Sequence, residues 1–276
     1  MFAPLPEEGL YRRYCPSDRS LAMLRAALAG AEVVRRAFRR HEPEELVTKG
    51  PRDFQTEADR ASERAIAAVL SASFPGAAIA GEEGQADSDA GGSIRFLIDP
   101  IDGTTNFAWG IPFFAIAIAL EEDGEITAGV VLDPIHAEAF VAEQGKSSFL
   151  NGVRLKMKET VAPDAAIVGA SLPTPGQVKT VPVATYHRAL RNVIDTATGV
   201  RRLGSAALSL CYVAAGRHDA FFEDGLSPLD YAAAVLVVRE AGGIASSFDG
   251  RPIPPSGAVL AAVRGLHPWL VDQFAG

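Results

Sequence analysis

Apolar positions along the chain follow two periods, and the change between them divides it. From Ser17 onward, Leu21, Leu24, Leu28, Ala31, Val34 and Phe38 recur every three or four residues, the spacing of one helix face. Arg35, Arg36, Arg39 and Arg40 crowd the end of that helix, where positive charge suits the dipole. A second helix is predicted from about Thr56, with Ala58, Ala65, Ile66, Val69 and Phe74 facing inward. Pro75 and Gly76 stop it. The pattern then shortens to strand-like runs. Phe96 to Ile98 reads as a short buried strand, and FFAIAIALEE and EITAGVVLD flank Asp123-Gly124, a two-residue hairpin turn. Asp133-Pro134 leads into a strand from Glu138 to Glu143, and Asn151-Gly152 marks a further turn.

After about residue 160, strand and helix alternate. Helices are predicted from Ser205 to Ala215 and from Pro228 to Ala241, the second ending at Gly242-Gly243. Strands are predicted from Ala220 to Glu223 and near Ile244 and Val259. Antiparallel strands after two helices argue for an α+β first half rather than a nucleotide-binding βαβ series, joined to an α/β second half. Residues 1–155 and 156–276 are expected to pack as one unit with a site at their junction.

Composition narrows the function classes. The 276 residues suffice for a full core, and 48% hydrophobic content is ordinary for a folded chain. A net charge of −8, from 26 basic and 34 acidic residues, disfavours general nucleic-acid binding. It is also an odd balance for attracting anionic esters, unless bound cations reverse the local field. Cys15 and Cys211 stand far apart with no CxxC, which argues against a disulfide framework or a structural zinc. The longest apolar runs fall short of a membrane span and the N-terminus lacks a signal core, so a soluble cytoplasmic protein is expected.

The candidate chemistry lies in DPIDGTT, Asp99 to Thr105, directly after a buried strand. Two carboxylates three residues apart are costly to bury unpaired, and hard divalent cations relieve that cost. Pro100 and Gly103 bend the chain so that Asp99, Asp102 and the Ile101 carbonyl converge. Amides near Gly103 to Thr105 then offer donors to a phosphate. A polar turn without ligand is the alternative reading of these residues alone. An EF-hand is excluded by the acid spacing, by Pro100 and by the missing twelfth-position glutamate.

The string FLIDPIDGTTNFAWGIPFFAIAIAL closely resembles the signature of the inositol monophosphatase family. Three further segments resemble that family's motifs in its own order: KGPRDFQTEAD from Lys49, GEE from Gly81, and LDYAAAVLVVREAGG from Leu229. GSAALSLCYVAAGRHDAFFE, from Gly204, is similar to its substrate-side stretch, so the likeness spans roughly residues 20 to 265. It implies a layered αβαβα sandwich of the sugar phosphatase type. The antiparallel-sheet half carries the metal and phosphate motifs, and the mixed-sheet half carries the substrate side and the last ligand.

The resemblance also implies roles. Glu83, Asp99, Asp102 and Asp230, with the Ile101 carbonyl, would hold two or three Mg2+ ions. Asp53 would orient or deprotonate the Thr104 hydroxyl, which in turn positions the attacking water. Gly103, Thr104 and Thr105 would contact the phosphate, and Gly204, Ser205, Ala206 and Glu223 the leaving alcohol. A homodimer and lithium sensitivity are implied in the same way. Plainer readings stand beside several of these. Ser227-Pro228-Leu229-Asp230 is a good capping box, and Thr56 and Asp59 form the same pattern, with Asp59 read as structural. Glu223 can be a strand-end surface carboxylate, Lys49 a solvated lysine, and Glu82 a solvent-facing or supporting neighbour of the ligand.

Thr105-Asn106-Phe107 resembles the inositol and sugar phosphate branch, because branches acting on adenosine bisphosphates or histidinol phosphate often carry lysine after the first threonine. Leu229 replaces the usual tryptophan, Ala233 and Ala234 fill a normally glycine-containing turn, and Gln55 replaces a common valine. The function implied is inositol-1-phosphate hydrolysis. The alternatives are fructose 1,6-bisphosphate or another sugar, nucleotide or histidinol phosphate as substrate, and, from another class, a regulatory binding protein on this fold.

Overall fold

Ser17 separates the first two helices, α1 (Glu8–Tyr14) and α2 (Asp18–Ala37), and starts the second with a capping box completed by Ser20. The computed structural model describes residues 3–5, 8–39, 47–50, 53–55, 57–82 and 93–275, with backbone alone for 8–10, 47–50 and 53–55. Arg40, Thr56 and Glu83, and the side chains of Lys49, Asp53 and Gln55, lie outside the described residues. On α2, Leu21, Leu24, Leu28, Ala31 and Val34 are buried as their spacing predicts, and Phe38 follows them inward. A small antiparallel pair, β1 (Val47–Gly50) and β2 (Asp53–Gln55), precedes α3 (Glu57–Ser73). Helix α3 buries Ala58 and Ile66, while Ala65, Val69 and Phe74 are only half-buried. The pair and α1 are too short for periodicity to have revealed them.

A seven-stranded sheet follows. It starts with β3 (Ala78–Gly81) and β4 (Ile94–Asp102), the latter running nine residues rather than three. The acidic motif is therefore part of the strand, and its pairing register shifts between Asp99 and Asp102, a bulge that re-aims the side chains there. Helix α4 (Thr104–Ala108) follows, then β5 (Ala115–Glu122), β6 (Glu125–Asp133), β7 (Glu138–Glu143), β8 (Ser148–Leu150) and β9 (Val153–Arg154). These strands pair in chain order, antiparallel throughout except for parallel β3–β4. Asp123 and Gly124 both take positive φ, 51° and 84°, as the predicted hairpin turn requires.

Between Arg154 and Ile167 the chain passes to a second sheet. Its elements are β10 (Ile167–Ala170), α5 (Val183–Thr196), β11 (Gly199–Arg201), α6 (Ala206–Ala214), β12 (Ala220–Glu223), α7 (Pro228–Glu240), β13 (Ile244–Ser246), β14 (Val259–Ala262) and α8 (His267–Asp272). The strand order is β11-β10-β12-β14-β13, parallel at β10–β11 and β10–β12 and antiparallel elsewhere.

Five layers result. Helices α2 and α3 cover one face of the first sheet, α6 and α7 lie between the sheets, and α5 and α8 contact the second sheet. The AIAIAL run of β5 shows why: Ala115, Ala117 and Ala119 join the core around α6 and α7, while Ile116, Ile118 and Leu120 join the core under α2 and α3. Small residues on one face admit a helix closely. Gly129 on β6 is the extreme case, since a Cβ there would lie 2.7 Å from the Ala233 carbonyl oxygen on α7. That contact also suits Ala233 and Ala234, where the resembled family is richer in glycine. The αβαβα sandwich is the architecture present.

Candidate active site

At the junction of the two halves lies a cavity of about 200 Å³. Its wall is drawn from the acidic end of β4, the start of α4, the 202–206 loop before α6, the end of β12 and the first turn of α7. Among the described residues, five carboxylates line it, Glu82, Asp99, Asp102, Glu223 and Asp230, together with one guanidinium, Arg202.

Four of these acids have hydrogen-bond partners that fix them. Asp99 Oδ1 accepts from the Ile101 N–H at 2.9 Å, which fixes the bend at Pro100. Asp102 reaches across to the other half and caps α6: Ala206 N–H donates to Oδ1 at 3.1 Å, Ala207 N–H to Oδ2 at 2.8 Å, and the Ser205 hydroxyl also donates to Oδ2. Asp230 completes the predicted capping box, with Ser227 N–H donating to Oδ2 at 2.7 Å, and it lines the cavity as well. Capping and facing the cavity are thus compatible in one carboxylate. Glu223 accepts from Gln177 Nε2 at 2.8 Å.

Gly103 makes the junction possible. Its φ of 98° is left-handed, and a Cβ there would lie 3.0 Å from the Gly204 carbonyl oxygen. Asn106, 4% exposed, fastens the same junction by donating from Nδ2 to the Phe113 and Leu203 carbonyls, each at 2.7 Å.

Burial and mutual repulsion govern the charges. Burial foremost, then the charges of Glu82, Asp102, Asp230 and Asp59, push the Asp99 carboxyl well above its ordinary range. Burial and then the Asp102 charge push Asp230 up to about 8. Burial raises Asp102 to about 6 against the pull of Ser205 and the α6 amides. Glu223 is raised to about 7, mainly by burial and only partly offset by Ser171, Gln177 and Arg202.

The sequence-derived residues can now be placed. Asp99, Ile101, Asp102, Gly103, Thr104, Gly204, Ala206, Glu223 and Asp230 line the cavity together. Thr105 is exposed and is not part of that lining, and the Ser205 side chain is spent on Asp102 and on capping Leu208 N–H. Glu82, read from sequence as solvent-facing or supporting, is exposed but lines the cavity. Asp59, read as structural, is 1% exposed, and the Thr104 hydroxyl reaches its Oδ1 at 3.3 Å and the Ile101 carbonyl at 3.0 Å. Arg202 and Gln177 were not singled out from sequence, being isolated polar residues in loops without a motif to mark them, and Asn106 was noted only as part of the string Thr105-Asn106-Phe107, with no structural role.

The donor set suits a hard divalent cation, because carboxylates that raise one another's pKa are stabilised by shared positive charge. Among the described residues no three or more His, Cys, Asp or Glu side chains are grouped closely enough to hold a metal ion by themselves. The fit therefore rests on the chemistry of these oxygens and their mutual repulsion.

Comparison with known proteins bears on the family and the fold. The profile of the inositol monophosphatase family matches residues 18–275. An inositol-1-monophosphatase of Mesorhizobium japonicum is 41% identical over 240 residues, covering 87% of this chain and 89% of that one. The Nus factor SuhB of Pseudomonas aeruginosa is 41% identical over 230 residues, covering 82% and 84%. The crystal structure of the extragenic suppressor protein suhB from Bartonella henselae superposes with a TM-score of 0.86 at 36% identity, covering 94% of this chain and 99% of that one.

Proposed function

Because the chain belongs to the inositol monophosphatase family, we propose that it is a magnesium-dependent hydrolase of small phosphate monoesters, with inositol 1-phosphate or a sugar phosphate as substrate. The observation that carries this reading is the convergence of Glu82, Asp99, Asp102 and Asp230 from three separate stretches on one cavity that also holds Thr104. A pure binding role has no need of so many acids in one place.

Asp99, Asp102, Asp230 and Glu82, with the Ile101 carbonyl, would hold magnesium, and Glu83 stays a proposed ligand alongside them. Magnesium there supplies positive charge for the phosphate oxygens and the leaving oxygen. The protein's own part is orientation and proton handling. Thr104 accepts a hydrogen bond from the attacking water and passes its own hydroxyl proton toward Asp59, or toward Asp53 on β2, as general base. Water adds to phosphorus as the ester P–O bond breaks, and the departing alkoxide takes up a proton. Gly103 and Thr105 contribute amides to the phosphate, while Gly204, Ala206 and Glu223 receive the alcohol.

A phosphate-release screen tests the reading. Inositol 1-phosphate, fructose 1,6-bisphosphate, histidinol phosphate and adenosine 3′,5′-bisphosphate are each supplied with magnesium and with chelator. Release from the first or second that stops in chelator is expected. Undiminished release in chelator, or none from any ester, would overturn it. Several relatives carry the name Nus factor SuhB, and a partner-binding role is the second reading if no ester is cleaved.

A further inference from the structure

Arg202 is the cation in a wall of acids. It is exposed, it lines the cavity beside Glu223, and it follows Arg201, whose Nη1 is turned back onto the Val200 carbonyl at 3.1 Å. Among the described residues, no hydrogen bond or ion pair holds the Arg202 guanidinium. Arg217, beyond the other end of α6, grips Glu138 and stacks on Tyr212. Glu223 feels the Arg202 charge but takes its hydrogen bond from Gln177. Among the described residues, Arg202 therefore lines the cavity near Glu223 with its donors uncommitted.

Size and position say what it meets. A cavity of about 200 Å³ is below the roughly 300 Å³ at which pockets for drug-sized ligands begin, so it suits one small polyol. With the reacting phosphate at the Asp99–Asp102–Asp230 end, a substituent on the far side of the polyol emerges toward the exposed guanidinium. Arginine's planar fork matches the oxygens of a phosphate or carboxylate, and a neutral hydroxyl gains much less from it.

We propose that Arg202 forms an anion subsite at the mouth of this cavity, so that the preferred ester is a polyol or sugar phosphate bearing a second anionic group. The inference rests on the phosphatase reading above and narrows its substrate class. Glu223, held by Gln177, reads a hydroxyl on the ring, and Arg202 reads the second charge.

Matched esters test it. Fructose 1-phosphate is compared with fructose 1,6-bisphosphate, and glycerol 3-phosphate with 3-phosphoglycerate, so that the arms separate a second phosphate from a carboxylate. The readout is the ratio of kcat/KM within each pair, for the native protein, Arg202→Gln and Arg202→Lys. A charged hydrogen-bonded contact corresponds to a preference of about ten- to a hundredfold for the doubly anionic ester, expressed mainly in KM. The ratio is expected to fall toward one in Arg202→Gln and to be partly kept in Arg202→Lys. A native ratio near one in both pairs, or a ratio unmoved by Arg202→Gln, would overturn the subsite while leaving the phosphatase reading intact. If no ester releases phosphate, that reading fails, and calorimetric binding of hydrolysis-resistant phosphonate analogues of the same pairs decides the subsite by the same ratio.

Discussion

The Ala207 N–H donates to the Asp102 carboxylate at 2.8 Å, so an acid at the end of β4 caps a helix from the other half of the chain. One side chain thereby joins the acidic end of β4 in the first sheet to the loop that opens α6. Asp102→Asn removes the charge and replaces one acceptor with an amide that cannot receive these donors. Phosphate release in magnesium is expected to fall by about a hundredfold or more. Loss of the cap should lower stability by about 1–2 kcal/mol, read by urea denaturation. Activity within tenfold of the native protein would remove Asp102 from the mechanism.

A linked prediction concerns pH. Burial and the neighbouring Asp102 charge raise Asp230 to about 8, and burial with Glu82, Asp102 and Asp230 raises Asp99. A carboxyl whose folded pKa is raised holds a proton that the unfolded chain has released. Its contribution is full below the unfolded pKa near 4 and is lost as pH climbs through the folded value. The metal-free protein should therefore lose melting temperature between about pH 5 and pH 8. Magnesium opposes the same repulsion, so the rise in Tm on adding it should be larger at the alkaline end. Thermal scans with magnesium and with chelator at both ends check this, and an equal rise at both would count against cation binding by these acids.

Asn106 offers a test of the junction itself. Its amide satisfies two carbonyls from different elements, Phe113 and Leu203, within a buried contact. Asn106→Ala leaves both acceptors without that donor, which should cost about 2–4 kcal/mol. Gly204 is positioned through the Leu203 carbonyl, so KM is expected to rise more than kcat falls. Chemical denaturation and steady-state kinetics on one preparation separate the two effects, and an unchanged unfolding midpoint would show that the contact is dispensable.

What could be read from the sequence depended on whether a signal was local. Asp99, Asp102 and Thr104 sit in one short string, and Asp230 sits in a capping box, so both were legible. Asp59 was legible only as a helix-start acid, because its place against Thr104 depends on how α3 packs over β4. Glu82 and Glu83 are adjacent and identical in type, so the sequence offers nothing to distinguish them. Helix α5 did carry a helical period, with Tyr186, Ala189, Leu190 and Val193 buried at spacings of three and four, and it went unassigned among the alternating elements. Asn106, Gln177 and Arg202 matter through partners or spaces far away in sequence, and no periodicity records such relations.

The approach of α7 to β6 is the last relation open to test, because Asp230 rides on that helix. A Cβ on Gly129 would meet the Ala233 carbonyl oxygen at 2.7 Å and its Cα at 3.0 Å, and backbone atoms in a helix packed between two sheets have little room to yield. Gly129→Ala must therefore push α7 outward or bend β6. The expected cost is about 1–3 kcal/mol from overpacking. Because the displaced helix carries Asp230, the concentration of magnesium giving half-maximal activity should rise as well. Chemical denaturation and magnesium titration of activity check the two effects together. A less stable Gly129→Ala protein with an unchanged magnesium dependence would mean that the strain does not reach Asp230 through α7.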